Sequence, residues 1–382
     1  MSDRSTPLNV AFLGCGYVAE FYALTMPHHA RIKLRGAFDL DAKRCQNFGQ
    51  RHNIKAYASF QEMLDDDIQI VTNLTNPHAH FDTTTACLNA GKHVYTEKPM
   101  GLTMDEAKAI VALAEEKQLK ISSAPCTLLG ECAQTFWKAL REESIGKPLA
   151  VDAELCEGFF YSMPYEGWKN PAGDIWPAED EIRVGCGLEH LGYQLTWLLA
   201  FFGPATEVLA QGSCLATDKQ KYVPAEEAAP DHIVASLRFQ SGVTARITCS
   251  VIAPYSHALK IIGDQGVMST KDVWHFDSPV KRKKMINFRG RSRLMPVAQK
   301  VRMARQPRKD LGYKSDAHQI DFALGIAELG DAILENRMPR LTPQFVLHVN
   351  EVLLAIHHSF PDGRLTKPET TFEPLSPMDW AR

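Results

Sequence analysis

The chain has 382 residues with 45% hydrophobic and 23% charged side chains, a composition typical of a globular protein of two or three domains. A formal net charge of -3 creates no global field that would require a polyanionic partner. The nine cysteines include no C-x-x-C pair, so we expect reduced thiols and no zinc or other metal site. The N-terminus lacks the apolar region of a signal peptide, and no stretch approaches about 20 apolar residues. We therefore expect a cytoplasmic protein without a membrane span.

Strand and helix patterns alternate over the first third of the chain. The predicted strands are 8–13, 31–38, 68–74, 93–96 and 120–124. The predicted helices are 17–25, 41–52, one opened by Pro77 and stopped by Gly91, and 103–118, where Thr103 and Glu106 form a capping box. This alternation predicts a parallel, doubly wound α/β Rossmann sheet over residues 1–125.

The pattern changes after residue 125. Helices are predicted at 131–143, 187–202, 315–334 and 343–358, and extended segments at 149–160, 207–215, 232–239, 243–251 and 258–262. Gln240, Ser241 and Gly242 lie between two of these segments and are typical of a hairpin turn. We therefore predict an α+β domain with a mostly antiparallel sheet over residues 126–382, whose last helices can pack back on the first domain.

A glycine-rich motif follows the first predicted strand. Residues 14–19 (GCGYVA) match G-x-G-x-x-G/A and open a predicted helix. Gly14 makes the strand-to-helix turn, and Gly16 lets the backbone approach a diphosphate at the helix N-terminus, which Tyr17 and Val18 begin. The motif predicts a dinucleotide site.

Asp39 ends the second predicted strand, 20 residues past Ala19. A carboxylate at this place accepts hydrogen bonds from the adenosine ribose and repels a 2′-phosphate, so it favours NAD over NADP. Lys43 and Arg44 follow one turn later and partly offset that repulsion, which leaves NADP possible. The alternative is that Asp39 simply caps a helix.

Two further segments, 75–80 (TNPHAH) and 90–99 (AGKHVYTEKP), are more specific. Here the chain resembles the glucose–fructose oxidoreductase, inositol dehydrogenase and MocA (Gfo/Idh/MocA) family, whose members carry AGKHV-x-x-EKP after the fourth Rossmann strand. The resemblance weakens after residue 270. It implies Thr75, His80 and Glu97 at the cofactor, with Glu97 near the nicotinamide ribose, and a cis bond between Lys98 and Pro99.

The resemblance also implies an overall plan and an activity. Such enzymes pair a Rossmann domain with a mostly antiparallel sheet whose open face shapes the substrate site. Most oxidise or reduce a hydroxyl or ketone of a sugar, polyol or sugar nucleotide with NAD or NADP. Members often assemble through the open sheet, so a homodimer or homotetramer is expected.

Lys98 can also be judged from its position alone. It follows a predicted strand of a doubly wound sheet, at the edge where ligands bind. Its ammonium can polarise a carbonyl or take part in proton transfer as a hydride moves to nicotinamide. The alternative is an exposed surface lysine, the usual fate of this residue.

A second family motif, G-G-G-x-L-x-D-x-G-x-[HY], is altered over residues 184–194 (VGCGLEHLGYQ). His190 stands at the Asp position, and Gln194 stands at the His/Tyr position beside Tyr193. Because glutamine cannot exchange a proton near neutrality and histidine can, we predict Lys98 and His190 as the acid–base pair. Tyr193 is a candidate donor to the substrate oxygen and Gln194 a candidate substrate contact, although both cannot face the pocket from one regular helix.

The altered motif leaves two other functions open. His190 could be an ordinary hydrogen-bonded helix residue in a regulator that binds a dinucleotide without turning it over. The chain could also be a lyase or glycoside-cleaving enzyme that uses tightly held NAD transiently, without net redox change.

Two segments bear on the substrate. Residues 161–183 contain Trp168, which can stack on a sugar ring, and Arg183, which can hold a phosphate; a lid or interface loop is the alternative. Residues 280–309 hold twelve Lys or Arg and no acid. Three interpretations of this segment compete. A solvated, mobile loop is the simplest, and a contact for a phosphorylated or nucleotide-linked substrate or for anionic lipid comes second. A nucleic-acid site comes last. The segment favours a small carbohydrate with an anionic group, and no nucleic acid.

Overall fold

A computed structural model describes residues 6–216, 223–224, 228–308, 310–311, 320–360 and 362–382, and for Phe288 the backbone alone. Two sheets organise these residues, one of six strands and one of eleven. Helices cover both faces of the first sheet and one face of the second.

The first sheet is parallel throughout and has the order β3-β2-β1-β4-β5-β6. Its strands are β1 (Leu8–Leu13), β2 (Ile32–Phe38), β3 (Lys55–Ala56), β4 (Ile70–Asn73), β5 (His93–Thr96) and β6 (Ile121–Ser123). Its helices are α1 (Tyr17–Thr25), α2 (Ala42–His52), α3 (Phe60–Asp65), α4 (His80–Asn89) and α5 (Met104–Glu116). The predicted doubly wound sheet is confirmed. The strand order reverses between β1 and β4, where such sheets bind ligands.

Local chemistry accounts for the helix starts. Asp41 caps α2 by accepting from the amides of Lys43 and Arg44. Thr103 and Glu106 form the expected capping box at α5. Pro77 opens a short 3-10 turn, and the α-helical geometry begins only at His80, three residues later than the sequence indicated.

The second sheet has the order β15-β14-β13-β12-β7-β10-β9-β8-β17 along its main path, with β11 on β7 and β16 on β14. Its strands are β7 (Pro148–Phe159), β8 (Ala205–Ser213), β9 (His232–Phe239), β10 (Thr244–Ser250), β11 (Ile252–Ser256), β12 (Leu259–Gly263), β13 (Gly266–Thr270), β14 (Lys281–Phe288), β15 (Arg291–Leu294), β16 (Gln299–Lys300) and β17 (Arg364–Thr366). Among the described pairings, β7 with β10 is parallel and the others are antiparallel, which confirms the expected fold class.

Four further helices complete the chain: α6 (Glu131–Arg141), α7 (Ala178–Phe202), α8 (Leu324–Leu334) and α9 (Pro343–His357). The predicted helix 187–202 agrees with the part of α7 that follows a break at Gly185, and α7 also includes a helical part before that break, which the sequence pattern did not indicate. The predicted helix 315–334 is too long: residues 320–323 are not helical, and 315–319 lie outside the described residues.

The basic segment, residues 280–309, is also not the solvated loop that its composition favoured. Its first part forms β14, β15 and β16 at one end of the second sheet, and Lys309 lies outside the described residues. The terminal strand β15 is exposed at all four positions, and its Arg291 and Arg293 face water as charged residues of an edge strand commonly do.

Helix α8 packs back on the first sheet. Its side chains Ile326 and Leu329 are fully buried in one cluster with Val10 and Phe12 of β1. The chain therefore crosses to the second sheet and returns, which fixes the two sheets relative to each other. No helix within the described ranges has the length and apolar character needed to cross a membrane.

Candidate active site

A cavity of about 730 Å³ lies where the first sheet meets α7 and the second sheet. It opens beside the switch between β1 and β4, the expected ligand position in this topology. Its lining includes Gly16, Tyr17, Val18, Thr75, Glu97, Lys98, Glu157, Trp168, Trp176, Glu181, Glu189, His190, Tyr193 and Trp274.

The glycine-rich loop leaves room at the N-terminus of α1. Gly14 has a φ of +100°, and a Cβ there would lie 2.6 Å from the carbonyl oxygen of Leu74. Gly16 differs, because a Cβ at its position would meet nothing within 4 Å. This open space borders the first amides of the helix, so the residues present fit a diphosphate.

Asp39 supports the same loop. One carboxylate oxygen accepts from the backbone amide of Cys15 at 2.8 Å, and the other accepts from that of Asp41 at 2.8 Å. Arg44 lies 3.7 Å from the carboxylate and lines the cavity. The side chain therefore buttresses the loop rather than capping α2, which is the role of Asp41.

The expected cofactor residues after β4 separate into two roles. Thr75 lines the cavity and donates its hydroxyl to Asn73 at 2.7 Å. His80 is fully buried, with its ring nitrogens 2.7 Å from the Pro99 carbonyl oxygen and 2.9 Å from that of Thr75. It is not among the described lining residues, so the structure gives it a bracing position between two loops rather than a direct contact.

Glu97 and Lys98 follow β5 at the floor of the cavity. Glu97 accepts from the Tyr22 hydroxyl at 2.6 Å and from the Lys98 amide at 3.0 Å. The bond between Lys98 and Pro99 is cis.

The Lys98 ammonium pairs with the carboxylate of Glu189 on α7. Burial alone would lower the pKa of Lys98, but the neighbouring carboxylates, Glu189 first, raise it well above its usual range. Glu181 lies against Glu189, and burial together with that charge raises the pKa of Glu181. Lys98 is therefore held as a cation, and Glu181 is the carboxyl group of the pair whose protonation is favoured.

His190 lies in the same cavity and faces a different carboxylate. Its Nδ1 is 3.5 Å from Oε1 of Glu157 on β7, and its ring stacks on Trp274 at a centroid distance of 6.2 Å. Burial lowers the pKa of His190 and outweighs the opposing effect of Glu157. The imidazole is therefore neutral and able to accept a proton.

Tyr193 and Gln194 point in different directions, as helix geometry requires. Tyr193 lines the cavity, its ring 4.8 Å from that of Trp274, and burial raises the pKa of its hydroxyl. Gln194 is fully buried and donates to the carbonyl oxygens of Glu154 and Ala258. Within the described lining, Gln194 is absent, so the structure does not give it the predicted substrate contact.

The segment before α7 forms an aromatic wall. Phe160 contacts Trp176 at 5.0 Å between ring centroids, and Trp168 contacts Trp176 at 5.6 Å. Arg183 instead ion-pairs with Glu179 at 3.1 Å and is not in the lining among the described residues. The predicted substrate role therefore has geometric support for Trp168 and none for Arg183.

This segment also reaches over the Rossmann domain. The side-chain amide of Asn170 donates to the carbonyl oxygen of Tyr17 at 3.1 Å. Asp174 lies 3.5 Å from Arg51 of α2. These contacts place residues 168–177 across the dinucleotide groove as a cover.

Charge in the cavity is dominated by acids. Six carboxyl groups and two basic side chains, Arg44 and Lys98, are among the described lining residues. No described residue of the basic segment 280–309 lines the cavity. The expectation of an anionic substrate, which was based on this segment, therefore has no support at the site.

Three residues at the site were missed by sequence reasoning. Glu189 stands at an unspecified position of the altered motif, directly before His190. Glu157 lies on a strand with no motif, and Trp274 lies beyond residue 270, where the resemblance weakens. Of these residues, Glu189 alone could have been found from the sequence, because its carboxylate lies one position before the place where the motif has an aspartate.

The comparison with family models decides the identity. An "Oxidoreductase family, NAD-binding Rossmann fold" model matches residues 8–124, and a "GFO/IDH/MocA C-terminal domain" model matches residues 133–269. The chain belongs to the Gfo/Idh/MocA family of oxidoreductases. The cofactor of this family is a nicotinamide dinucleotide, in agreement with the open space at Gly16.

The curated proteins that are similar to this chain match it over part of its length. The chain is 27% identical over 237 residues to trans-1,2-dihydrobenzene-1,2-diol dehydrogenase of Bos taurus, a match that spans 61% of this chain and 64% of the bovine enzyme. The enzyme of Mus musculus with the same name is 26% identical over 239 residues, 61% of this chain and 65% of that enzyme.

Solved structures share the whole fold. An aldose-aldose oxidoreductase from Caulobacter crescentus, complexed with glycerol, superposes with a TM-score of 0.74 at 20% identity, covering 95% of this chain and 100% of that one. An oxidoreductase from Agrobacterium radiobacter, in complex with NAD+, L-tartaric acid and magnesium, superposes with a TM-score of 0.74 at 16% identity, covering 95% and 98%.

Proposed function

We propose that this Gfo/Idh/MocA protein is an NAD-dependent dehydrogenase or reductase that interconverts a hydroxyl and a ketone on a neutral sugar, polyol or cyclic diol. The observation that carries the proposal is the meeting of Lys98, His190 and Tyr193 in the lining of one cavity that also contains Gly16 at the N-terminus of α1. A proton-transfer site and a dinucleotide site thus share one space.

The two predicted catalytic residues have distinct roles in this proposal. Lys98 is held as an ammonium by Glu189, so it stabilises negative charge on the substrate oxygen rather than accepting a proton. His190 is neutral and accepts the hydroxyl proton during oxidation, or returns it during reduction. Tyr193 is a neutral phenol that can donate to the same oxygen. The nicotinamide, when bound, accepts or supplies the hydride.

The residues that would hold the cofactor are those of the groove. The amides after Gly16 would hold the diphosphate, Glu97 would contact the nicotinamide ribose, and Asp39 would contact the adenosine ribose. The Asp39 charge favours NAD, because a 2′-phosphate would approach a carboxylate whose oxygens are already committed to the Cys15 and Asp41 amides.

The substrate class follows from charge and shape. At the catalytic end, the one basic side chain in the described lining is Lys98, which Glu189 already neutralises. A phosphate or nucleoside diphosphate would therefore lack a cation and face carboxylates. Trp168, Trp176 and Trp274 offer apolar faces on which a sugar or cyclic diol can stack. This favours a neutral substrate over a phosphorylated or nucleotide-linked one.

The test is a turnover panel followed through the absorbance of reduced nicotinamide. Neutral aldoses, polyols, inositols and cyclic diols are compared with sugar phosphates and nucleotide sugars, each with NAD and NADP, in both directions. We expect turnover with a neutral compound and NAD. Turnover confined to nucleotide sugars or sugar phosphates would contradict the substrate class while leaving the reaction type intact.

The same panel discriminates the two other functions. Dinucleotide binding by calorimetry without turnover of any compound would favour a regulator. Formation of product without net nicotinamide reduction, with NAD retained through purification, would favour a lyase or glycoside-cleaving enzyme. Catalysis is favoured over sensing by the presence of Lys98, His190 and Tyr193 in the lining of one cavity.

A further inference from the structure

A row of alternating carboxylates and imidazoles leads from the cavity into the second domain. Nδ1 of His190 lies 3.5 Å from Oε1 of Glu157, and the same oxygen lies 3.0 Å from Nε2 of His257. On its other side, Nδ1 of His257 lies 3.6 Å from Oδ1 of Asp272. Each imidazole is therefore next to a carboxylate, and Glu157 is shared by two imidazoles.

The row is assembled from distant parts of the chain. His190 comes from α7, Glu157 from β7, His257 from the link between β11 and β12, and Asp272 from the segment after β13. The Trp274 ring lies 6.2 Å from the His190 ring and 4.4 Å from the His257 ring, so it packs on both. His257 is completely buried. Packing thus holds both rings in place.

The geometry around His257 favours a charged imidazole. Its two ring nitrogens face Glu157 and Asp272, and the Tyr255 hydroxyl lies 3.1 Å from Nδ1. Burial opposes protonation, but the hydrogen bonds to Asp272 and Glu157 outweigh it and raise the pKa of His257 to about 9. A cation here keeps the adjacent Glu157 ionised.

We infer that Glu157 and His257 are positioning residues for His190. With the Glu157 carboxylate 3.5 Å from Nδ1, the neutral ring keeps its proton on Nδ1, which leaves Nε2 of that ring as the site that takes the substrate proton. His257 supplies the counter-charge that stops Glu157 from drawing a proton onto His190 too strongly. The inference rests on the proposed function in that His190 is the proton acceptor.

Glu157 acts on His190 from the side of the ring that faces away from the proposed proton transfer. A carboxylate on one ring nitrogen selects the tautomer and raises the basicity of the other nitrogen. An uncompensated carboxylate would go further and make His190 a permanent cation, unable to accept a proton. With His257 charged, Glu157 orients the ring while burial still keeps it neutral.

Other charged groups face these rings. Lys98 and Glu189 act on His190 with opposite signs and largely compensate each other as an ion pair. His275 lies 4.0 Å from Asp272, at the far end of the row. The Glu157 charge also raises the pKa of Glu181, so the effect of each variant is read from the signals of the His190 ring itself.

The first experiment needs no substrate. Ring nitrogen-15 chemical shifts of histidine in the full chain are recorded from about pH 5 to about pH 9, with signals assigned by His190→Asn and His257→Gln. We expect His257 to be doubly protonated at neutral pH and His190 to be neutral with its proton on Nδ1. A neutral His257, or a His190 proton on Nε2, would overturn the inference.

The second experiment compares two variants by the same signals. Glu157→Gln removes the negative charge beside Nδ1 of His190, so the pKa of His190 should fall by about one unit or more. His257→Gln keeps a donor to Glu157 without the cation, so the pKa of His190 should rise. The positioning role predicts that the pKa of His190 moves in opposite directions in the two variants. Loss of packing alone would move that pKa in the same direction in both variants.

His348→Gln is the matched control. His348 is equally buried, on α9, and its Nε2 accepts from the Ala205 amide at 2.9 Å, outside the described lining of the cavity. It should lower the melting temperature without moving the His190 titration. Displacements of equal sign in the Glu157 and His257 variants, or none, would contradict the inference.

The outcome is separable from that of the proposed function. If a substrate is found, the acid limb of the kcat/KM profile should move with the His190 titration in each variant, down for Glu157→Gln and up for His257→Gln. If nothing is turned over, the nitrogen-15 measurements still decide whether the row sets the tautomer and charge of His190.

Discussion

The Glu189 carboxylate pairs with the Lys98 ammonium at the floor of the cavity, and both side chains are largely shielded from water. In the proposed reaction, this ion pair gives the two proton-handling residues different charges: Lys98 is a cation and His190 is neutral. In this reaction, Lys98 is held as an ammonium and does not serve as the base, and the proton-accepting role falls to the neutral His190. Each partner of this division can be tested by a single substitution.

The first prediction concerns Glu189→Gln. Since Glu189 raises the pKa of Lys98 against the effect of burial, removing its charge should lower that pKa. Lys98 is needed as a cation, so the alkaline limb of the kcat/KM profile should move to lower pH by about one unit or more, with kcat reduced. The measurement is the pH profile with the substrate that the panel identifies.

Glu179→Gln serves as the control for Glu189→Gln. Glu179 is an exposed carboxylate of the same helix, paired with Arg183 outside the cavity lining as described. It should leave the profile unchanged. An alkaline limb that is the same in Glu189→Gln and the wild type would show that Lys98 does not depend on Glu189.

The second prediction concerns the catalytic pair itself. Lys98→Ala and His190→Asn should each lower kcat by about 100-fold or more, the usual effect of removing an acid–base group. Dinucleotide affinity should persist, because neither residue is part of the glycine-rich loop. His190→Asn should also abolish the acid limb of the profile. Retained turnover in either variant would remove that residue from the reaction.

The fold was largely predictable from the sequence, since periodic patterns and caps are local. The strands from Leu8 to Thr96 and the box at Thr103 follow from short-range chemistry. The N-terminal part of α7 was not predictable, because the break at Gly185, whose φ is +85°, packs against Ala229 and Pro230. That contact joins positions more than 40 residues apart in sequence.

The site divides in the same way. Lys98 and His190 were found because motifs mark them, whereas Glu157 and His257 were not, since strand pairing alone brings them to α7. Gln194 and Arg183 were assigned to the substrate by motif position and charge. Helix rotation then turned the first into the sheet and the second toward Glu179.

The third prediction contrasts two glycines of one loop. Gly14→Ala forces a left-handed φ on alanine and drives Cβ to 2.6 Å from a carbonyl oxygen, so it should destabilise the fold by at least about 2 kcal/mol. Gly16→Ala meets no atom within 4 Å and should fold normally. Its methyl group enters the space assigned to the diphosphate, so dinucleotide affinity should fall sharply.

Urea unfolding and calorimetry with NAD separate the two effects. Gly14→Ala should shift the unfolding midpoint, while Gly16→Ala should keep the wild-type midpoint and lose binding. If Gly16→Ala bound NAD as tightly as the wild type, the diphosphate would have to lie elsewhere in the cavity.

The fourth prediction concerns cofactor choice. Asp39→Asn removes the charge that opposes a 2′-phosphate but keeps a carbonyl oxygen that can still accept from Cys15 or Asp41. NAD affinity should fall by about 10-fold, as for loss of one charge-assisted hydrogen bond, and NADP should gain relative to NAD. The neighbouring Arg44, 3.7 Å away, becomes available to the phosphate.

Asp41→Asn provides the matched charge change two positions along the chain. Asp41 caps α2 through the Lys43 and Arg44 amides, and asparagine caps a helix about as well as aspartate. It should therefore leave both stability and the NAD to NADP ratio near their wild-type values. The ratio is measured from dissociation constants by titration of protein fluorescence with each dinucleotide. An equal shift in both variants would mean that general charge near the groove, rather than the Asp39 carboxylate, sets the preference for NAD.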